Sequence, residues 1–118
     1  SQSTATQVES MLEAVTTDEG TAPAARIDGY RVAGKTGTAQ RVDSSCGCYR
    51  GYTASFVGFA PADDPKLVVL VVLDNPINGH YGGTVAAPVF KDVMSFALET
   101  EKIPPTGTKP PVVKLTTS

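Results

Sequence analysis

Lys35, Thr36 and Thr38, spaced by Gly34 and Gly37 and followed by Gln40, gather an ammonium group, two hydroxyls and an amide into a few residues. Two chemistries suit such a segment. On an exposed strand edge it would recognise an anionic peptide end. Period two then sends Lys35, Gly37 and Ala39 to one face and Thr36, Thr38 and Gln40 to the other. Gly37 would leave room for a ligand to approach the backbone. Alternatively the stretch is a nucleotide loop, since Gly29 to Thr36 satisfies the pattern G-x-x-x-x-G-K-[ST]. A third, plainer reading is a lysine-bearing surface turn.

The nucleotide reading finds one further match, an aliphatic run from Leu67 to Leu73 ending in Asp74, like a strand that delivers a magnesium-binding aspartate. Its physics, however, requires a buried strand before the loop and a helix immediately after it. Thr21 to Arg26 is no hydrophobic strand, and Gly37, Thr38, Val42 and the Cys-Gly-Cys segment make a poor helix. Context favours the strand edge.

The elements that must position this segment come from a chain of 118 residues, enough for one domain or part of one. Hydrophobic residues make up 41% and charged residues 19%, the balance of a chain that buries a core. Ten basic and twelve acidic side chains leave a formal charge of −2, so no global attraction for nucleic acid or an anionic membrane is expected. The aliphatic run is too short to cross a bilayer, and the N-terminus carries no signal-peptide pattern. Cys46 and Cys48 flank a single glycine. A zinc site would need two more ligands, and the one histidine, His80, is far along the chain. A strained disulfide and two free thiols in a Gly-rich loop both stay open.

Val8, Met11, Leu12 and Val15 form one apolar stripe of a first helix, with Thr6 and Glu9 as its capping box and Gly20 as its stop. Asp18 to Asp28 reads as a surface loop, Tyr30 to Gln40 as a strand, and Asp43 to Gly51 as an irregular loop. Tyr52 to Ala60 is β-prone, with Gly58 marking a close backbone approach. Leu67 to Leu73 has no alternation and predicts a strand buried on both faces. The short turn Pro61 to Pro65 makes these two strands an antiparallel hairpin. After a Gly- and Asn-rich loop, Ala86, Val89, Phe90, Val93 and Ala97 form the apolar face of a second helix, with Pro88 in its first turn. Residues 1–103 therefore read as the structured part and 104–118 as a Pro-rich tail, extended or mobile, whose Thr106-Gly107-Thr108 is given no role.

Three stretches carry a family resemblance: Gly34-Lys35-Thr36-Gly37-Thr38-Ala39-Gln40, Ala54 to Pro61, and Gly82-Gly83-Thr84 through Phe90. In this order and spacing they resemble the C-terminal portion of a class B penicillin-binding protein of the septal, cell-division type. The resemblance implies an α+β fold, an antiparallel sheet flanked by helices. It is the C-terminal segment of the penicillin-binding protein and serine β-lactamase-like fold. It also implies a D,D-transpeptidase that cross-links peptidoglycan stem peptides outside the cytoplasmic membrane, is membrane-anchored elsewhere in the protein, binds β-lactams and works beside cell-division proteins. No metal or organic cofactor is implied.

Carried residue by residue, the resemblance places Lys35 beside the catalytic serines and makes Thr36 and Thr38 binders of the substrate carboxylate. The Thr38 N–H becomes half of an oxyanion hole, Gly37 keeps the edge clear, and Gln40 is a weaker pocket candidate. The family's S-x-x-K and S-x-N motifs do not occur in this sequence. The chain is thus expected to be the last part of a transpeptidase domain, inactive alone and completed by a preceding segment or a second chain. The competing class is a non-catalytic interaction module built on the same sheet. An S-x-x-K in the preceding chain would decide for the enzyme. His80, ahead of Gly82-Gly83-Thr84, is read as a loop residue with no catalytic part.

Overall fold

The computed structural model describes residues 1–113; the last five residues of the predicted tail lie outside them. Helix α1 is Gln2–Ala14, a single 3-10 turn covers Pro23–Ala25, and three strands follow, β1 Ala33–Asp43, β2 Cys48–Ala60 and β3 Leu67–Asp74. A short helix, α2 Gly82–Val85, leads into α3 Ala87–Thr100. The strands form one antiparallel sheet in the order β1-β2-β3, with Lys35 opposite Val57 and Phe56 opposite Val71. The expected hairpin and α+β class are present. β1, however, starts three residues later than predicted and runs on to Asp43, through an irregularity between Gln40 and Val42.

The core lies between one face of the sheet and α3. Phe90 packs edge-on to Phe56 with centroids 4.8 Å apart. Its ring also covers Gly58, where any Cβ would come within 2.8 Å of it, so the expected close approach is real. Ala87, Phe90, Met94 and Leu98 are the buried side of α3, whereas Val89 and Val93 are exposed. The predicted helix face is therefore rotated. The helix turns Phe90, Met94 and Leu98 into the same core cluster as Phe56 and Val71. Each fully buried chain of this size contributes about 1.5–3 kcal/mol. Pro88 sits in the first turn, as expected, where its missing N–H leaves no bond unmade.

The expectations for the ends of α1 and for the faces of β3 are corrected. Helix α1 is capped by the Ser1 hydroxyl, which accepts from the Thr4 N–H at 3.2 Å. Thr6 lies inside the helix and donates to the Gln2 carbonyl, so the Thr6–Glu9 box does not exist. The helix stops at Ala14, not at Gly20, because Thr16, Thr17 and Ala22 fold back onto its last carbonyls. Its Val8 and Met11 stripe is largely exposed. In β3, Leu67, Val69, Val71 and Leu73 pack on the core, but Val68, Leu70 and Val72 are 70%, 63% and 54% exposed. The run reads as covered on both faces, yet among the described residues only α3's side is covered.

The described start of the tail carries no helix or strand, and bonds at Ile103, Thr106 and Thr108 join it to the fold. Tyr30 donates its hydroxyl to the Ile103 carbonyl at 2.6 Å. Thr106 and Thr108 donate to the two carboxylate oxygens of Asp63 at 2.9 and 2.5 Å, and Arg31 reaches Thr108 at 3.2 Å. The Thr108 hydroxyl, more than the nearby Arg31, holds the Asp63 carboxyl below the usual carboxylate range. Thr106-Gly107-Thr108 thus has a structural role after all.

Candidate functional site

Among the described residues β1 is an outer strand, paired with β2 alone, and it presents the motif along its open side. The register confirms the alternation read from sequence. Lys35, Gly37 and Ala39 stand beside Val57, Ser55 and Thr53, and Thr36, Thr38 and Gln40 beside Phe56, Ala54 and Tyr52. Lys35, Thr38 and Gln40 are exposed, and Thr36 and Gly37 are half-buried. This places Lys35-Thr36 inside a strand. No helix begins at Thr36, so the geometry of a phosphate loop is absent here. Asp74, its other support, ends β3 and pairs with Arg41 at 2.5 Å.

The Lys35 ammonium donates to the carbonyl of Thr36 at 2.8 Å and to its hydroxyl at 3.3 Å. The Thr36 hydroxyl in turn lies 3.5 Å from that of Thr21. The Thr38 hydroxyl accepts the N–H of Gly82 at 3.2 Å. A Cβ at Gly37 would sit 2.3 Å from the Ser55 hydroxyl, which would have to rotate away. One strand edge therefore holds an ammonium, two hydroxyls and open backbone, a set suited to an anionic, extended ligand.

His80 lies in the loop before α2, as expected. Its ring stacks on Tyr52 at 4.1 Å and meets Tyr81 at 4.3 Å. Tyr52 is the cross-strand neighbour of Gln40, so the aromatic stack flanks the far end of the motif. The signal in sequence was the pair His80-Tyr81 directly before Gly82-Gly83. Its contact with Tyr52, 28 positions away, was not visible there. A hollow of about 300 Å³ lies elsewhere, lined by Glu13, Thr16, Arg26, Tyr30 and Arg31, and none of the motif side chains lines it. Among the described residues, no three His, Cys, Asp or Glu side chains gather as a metal set.

Beyond the motif the β1–β2 hairpin continues to a tip closed by a Cys46–Cys48 disulfide. This settles the open question against free thiols. Cys48 to Gly51 belong to β2, where an irregular loop was expected. Ser45 bonds the Asp43 carboxylate through both its hydroxyl and its N–H and lowers its pKa. Because this tip is solvent-exposed and bonded mainly to itself, replacing both cysteines with serine should leave acylation by the full-length protein within a few-fold. Exposed substitutions usually shift stability by about 0.5 kcal/mol or less. A loss beyond about tenfold, measured with a β-lactam reporter, would mean that the tip shapes the site.

Comparison with known proteins places the chain. The family model of the penicillin-binding protein transpeptidase domain matches residues 1–95. Stage V sporulation protein D of Bacillus subtilis is 46% identical over 111 residues, covering 93% of this chain and 16% of that protein. The penicillin-binding protein PbpB of Mycolicibacterium smegmatis is 43% identical over 90 residues, covering 73% of this chain and 14% of that one. The solved structure of penicillin-binding protein 3 from Mycobacterium tuberculosis, complexed with ampicillin, superimposes with a TM-score of 0.74. It is 38% identical and covers 92% of this chain and 27% of that one. The chain belongs to the penicillin-binding protein transpeptidase domain family. It spans about a sixth of the length of the curated relatives it matches.

Proposed function

We propose that this chain is the C-terminal part of a class B, septal-type peptidoglycan D,D-transpeptidase, with residues 1–103 in the transpeptidase domain and 104–118 as its tail. The observation that carries the reading is the motif edge: Lys35 on one face of β1, Thr36 and Thr38 on the other, and the strand's outer side open. The substrate class is the D-Ala-D-Ala end of a stem peptide, or a β-lactam in its place. Thr36 and Thr38 hydroxyls bind the terminal carboxylate, with Gln40 a secondary contact. Lys35 supplies positive charge to the nucleophile's hydrogen-bond network. The Thr38 N–H stabilises the oxyanion that forms when the serine attacks. That serine's oxygen bonds to the amide carbonyl, the C–N bond breaks, and D-Ala leaves with the proton. An amine of a neighbouring stem then displaces the serine from the ester.

The serine lies outside this chain. The exposed apolar face of Val57, Val68, Leu70 and Val72 is where the remainder of the domain would pack, which supports a chain completed by further sequence. Location on the outer side of the cytoplasmic membrane and contact with cell-division proteins follow from the same reading. Among the described residues no helix is long and apolar enough to cross a membrane.

The test is Thr38→Val in the full-length protein. Valine keeps shape, strand propensity and N–H but deletes the hydroxyl. A hydrogen bond to a charged group contributes about 1.5–3 kcal/mol, so acylation by a carboxylate-bearing β-lactam should slow about ten- to a hundredfold. The neutral ester of the same β-lactam should slow far less. Equal losses on both would show that the hydroxyl does not read the carboxylate.

A further inference from the structure

The Gly82-Gly83 pair has no place in the roles assigned so far, yet it is the part of α2 that touches the motif strand. Gly82 is buried. A Cβ there would lie 2.1 Å from the Ser55 carbonyl oxygen, 2.6 Å from that of Gly37 and 3.1 Å from the Gly37 nitrogen. At Gly83 a Cβ would lie 2.0 Å from the Thr21 carbonyl oxygen and 3.3 Å from a methyl carbon of Thr36. Only two residues without side chains let this backbone press on β1 and β2 so closely. The approach places the Gly82 N–H 3.2 Å from the Thr38 hydroxyl oxygen, 44 positions back in sequence. Immediately before it, His80 is stacked on Tyr52, which fixes how the chain enters the contact.

We propose that Gly82 is a positioning residue for carboxylate recognition, its N–H orienting the Thr38 hydroxyl toward the ligand. The inference rests on the carboxylate role given to Thr38 above. A hydroxyl has one proton to donate and two lone pairs to accept with. Once the Gly82 N–H occupies a lone pair from within the fold, the proton cannot point that way. It is left to donate outward, along the exposed strand edge where an anion would lie. The donated bond also polarises the hydroxyl, making it the better donor. An unheld threonine hydroxyl would have to be ordered at each binding event, so holding it beforehand raises affinity without adding a contact to the ligand.

The experiment compares acylation of the full-length protein by a β-lactam and by its neutral ester. Two variants address the bond. Gly82→Ala forces α2 away from β1. Glycolic acid incorporated at position 82 exchanges the N–H for an ester oxygen and adds no side chain, so it stays informative if Gly82→Ala does not fold; the weaker Tyr81 carbonyl it leaves, which accepts from the Thr84 and Val85 N–H groups, acts on acid and ester alike. A neutral hydrogen bond of this kind corresponds to about a three- to tenfold loss on the acid, with the ester changed less than about twofold. In a Thr38→Val background the glycolate exchange should cost nothing more on the acid, because the two act through one hydroxyl. Thr38→Ser, which keeps the hydroxyl, should restore the dependence on position 82. Equal slowing of acid and ester by the glycolate, or an undiminished effect in Thr38→Val, would reduce Gly82 to a packing residue and overturn the proposal. If Thr38→Val itself fails to separate acid from ester, the carboxylate role of Thr38 falls first and takes this inference with it.

Discussion

Glu13→Ala is expected to be strongly destabilising, by about 3 kcal/mol. The Glu13 side chain is 3% exposed and meets Arg31, itself 15% exposed, in a two-pronged bond: Nε to Oε2 at 2.9 Å and Nη2 to Oε1 at 2.6 Å. That hydrogen bond, ahead of the opposing burial, raises the Arg31 pKa above its ordinary value. Removing one partner of such a pair strands the other charge, which typically costs about 3–5 kcal/mol. Asp63 also reaches Arg31 at 3.5 Å, which keeps the guanidinium from being wholly unpaired and sets the expectation at about 3 kcal/mol. Glu13→Gln, which keeps the shape and an acceptor, should cost less. The double change Glu13→Leu with Arg31→Met should cost less than Glu13→Ala, because it buries no lone charge. Denaturant unfolding of the full-length protein gives all three values. A loss under about 1 kcal/mol for Glu13→Ala would show that the pair contributes little net stability.

That pair also marks where sequence reading stops. Glu13 is near the end of α1 and Arg31 lies in the loop before β1, 18 positions on, so no periodicity joins them. The same holds for Thr106 and Thr108 with Asp63, and for Gly82 with Thr38. Each is a polar contact made only after distant segments have packed, and propensity carries no trace of it. The hairpin was legible because its information is local. Phe56, Val57 and Phe59, the turn at Pro61 to Pro65, and the aliphatic run at Leu67 together leave one arrangement.

Errors in the local reading have local causes as well. For α3, the expected face of Ala86, Val89, Phe90, Val93 and Ala97 is right at Ala86 and Phe90, but Met94 and Leu98 are buried where Val89 and Val93 are not. For α1, Thr6 with Glu9 imitates a cap one turn inside the helix, while the real cap at Ser1 has no charged partner to announce it. For β3 the reading of a strand covered on both faces matches the composition of the run. Only the second cover is missing from the described residues. The facing of the motif residues on β1 was legible to the residue, because strand alternation is strict and the strand carries no bulge between Lys35 and Gln40.

Lys35→Ala is expected to abolish most acylation, and through a different route from Thr38→Val. Lys35 stands on the face opposite Thr36 and Thr38, beside Val57, at the rim of the apolar surface that includes Leu70 and Val72. In this chain its ammonium is exposed and bonded to its own neighbour, Thr36. Once the rest of the domain covers that surface, the same charge would work in a drier, lower-dielectric setting. There, its attraction for a developing oxyanion or a serine alkoxide grows severalfold. Deleting one preorganised electrostatic group in an acyl-transfer site typically costs about 10²–10³ in rate, and that is the loss expected here. Lys35→Arg keeps the charge but spreads it over a planar fork, so it should recover only part of the activity. On the role proposed for it, in which this charge serves the attack as well as the carboxylate, the β-lactam and its neutral ester should both slow substantially, whereas Thr38→Val separates them. The full-length protein should also show no ATP binding by calorimetry with magnesium present. A loss smaller than about tenfold on the ester would remove Lys35 from the attack step and leave it a carboxylate binder alone, while ATP binding lost on Lys35→Ala would return the segment to the nucleotide reading.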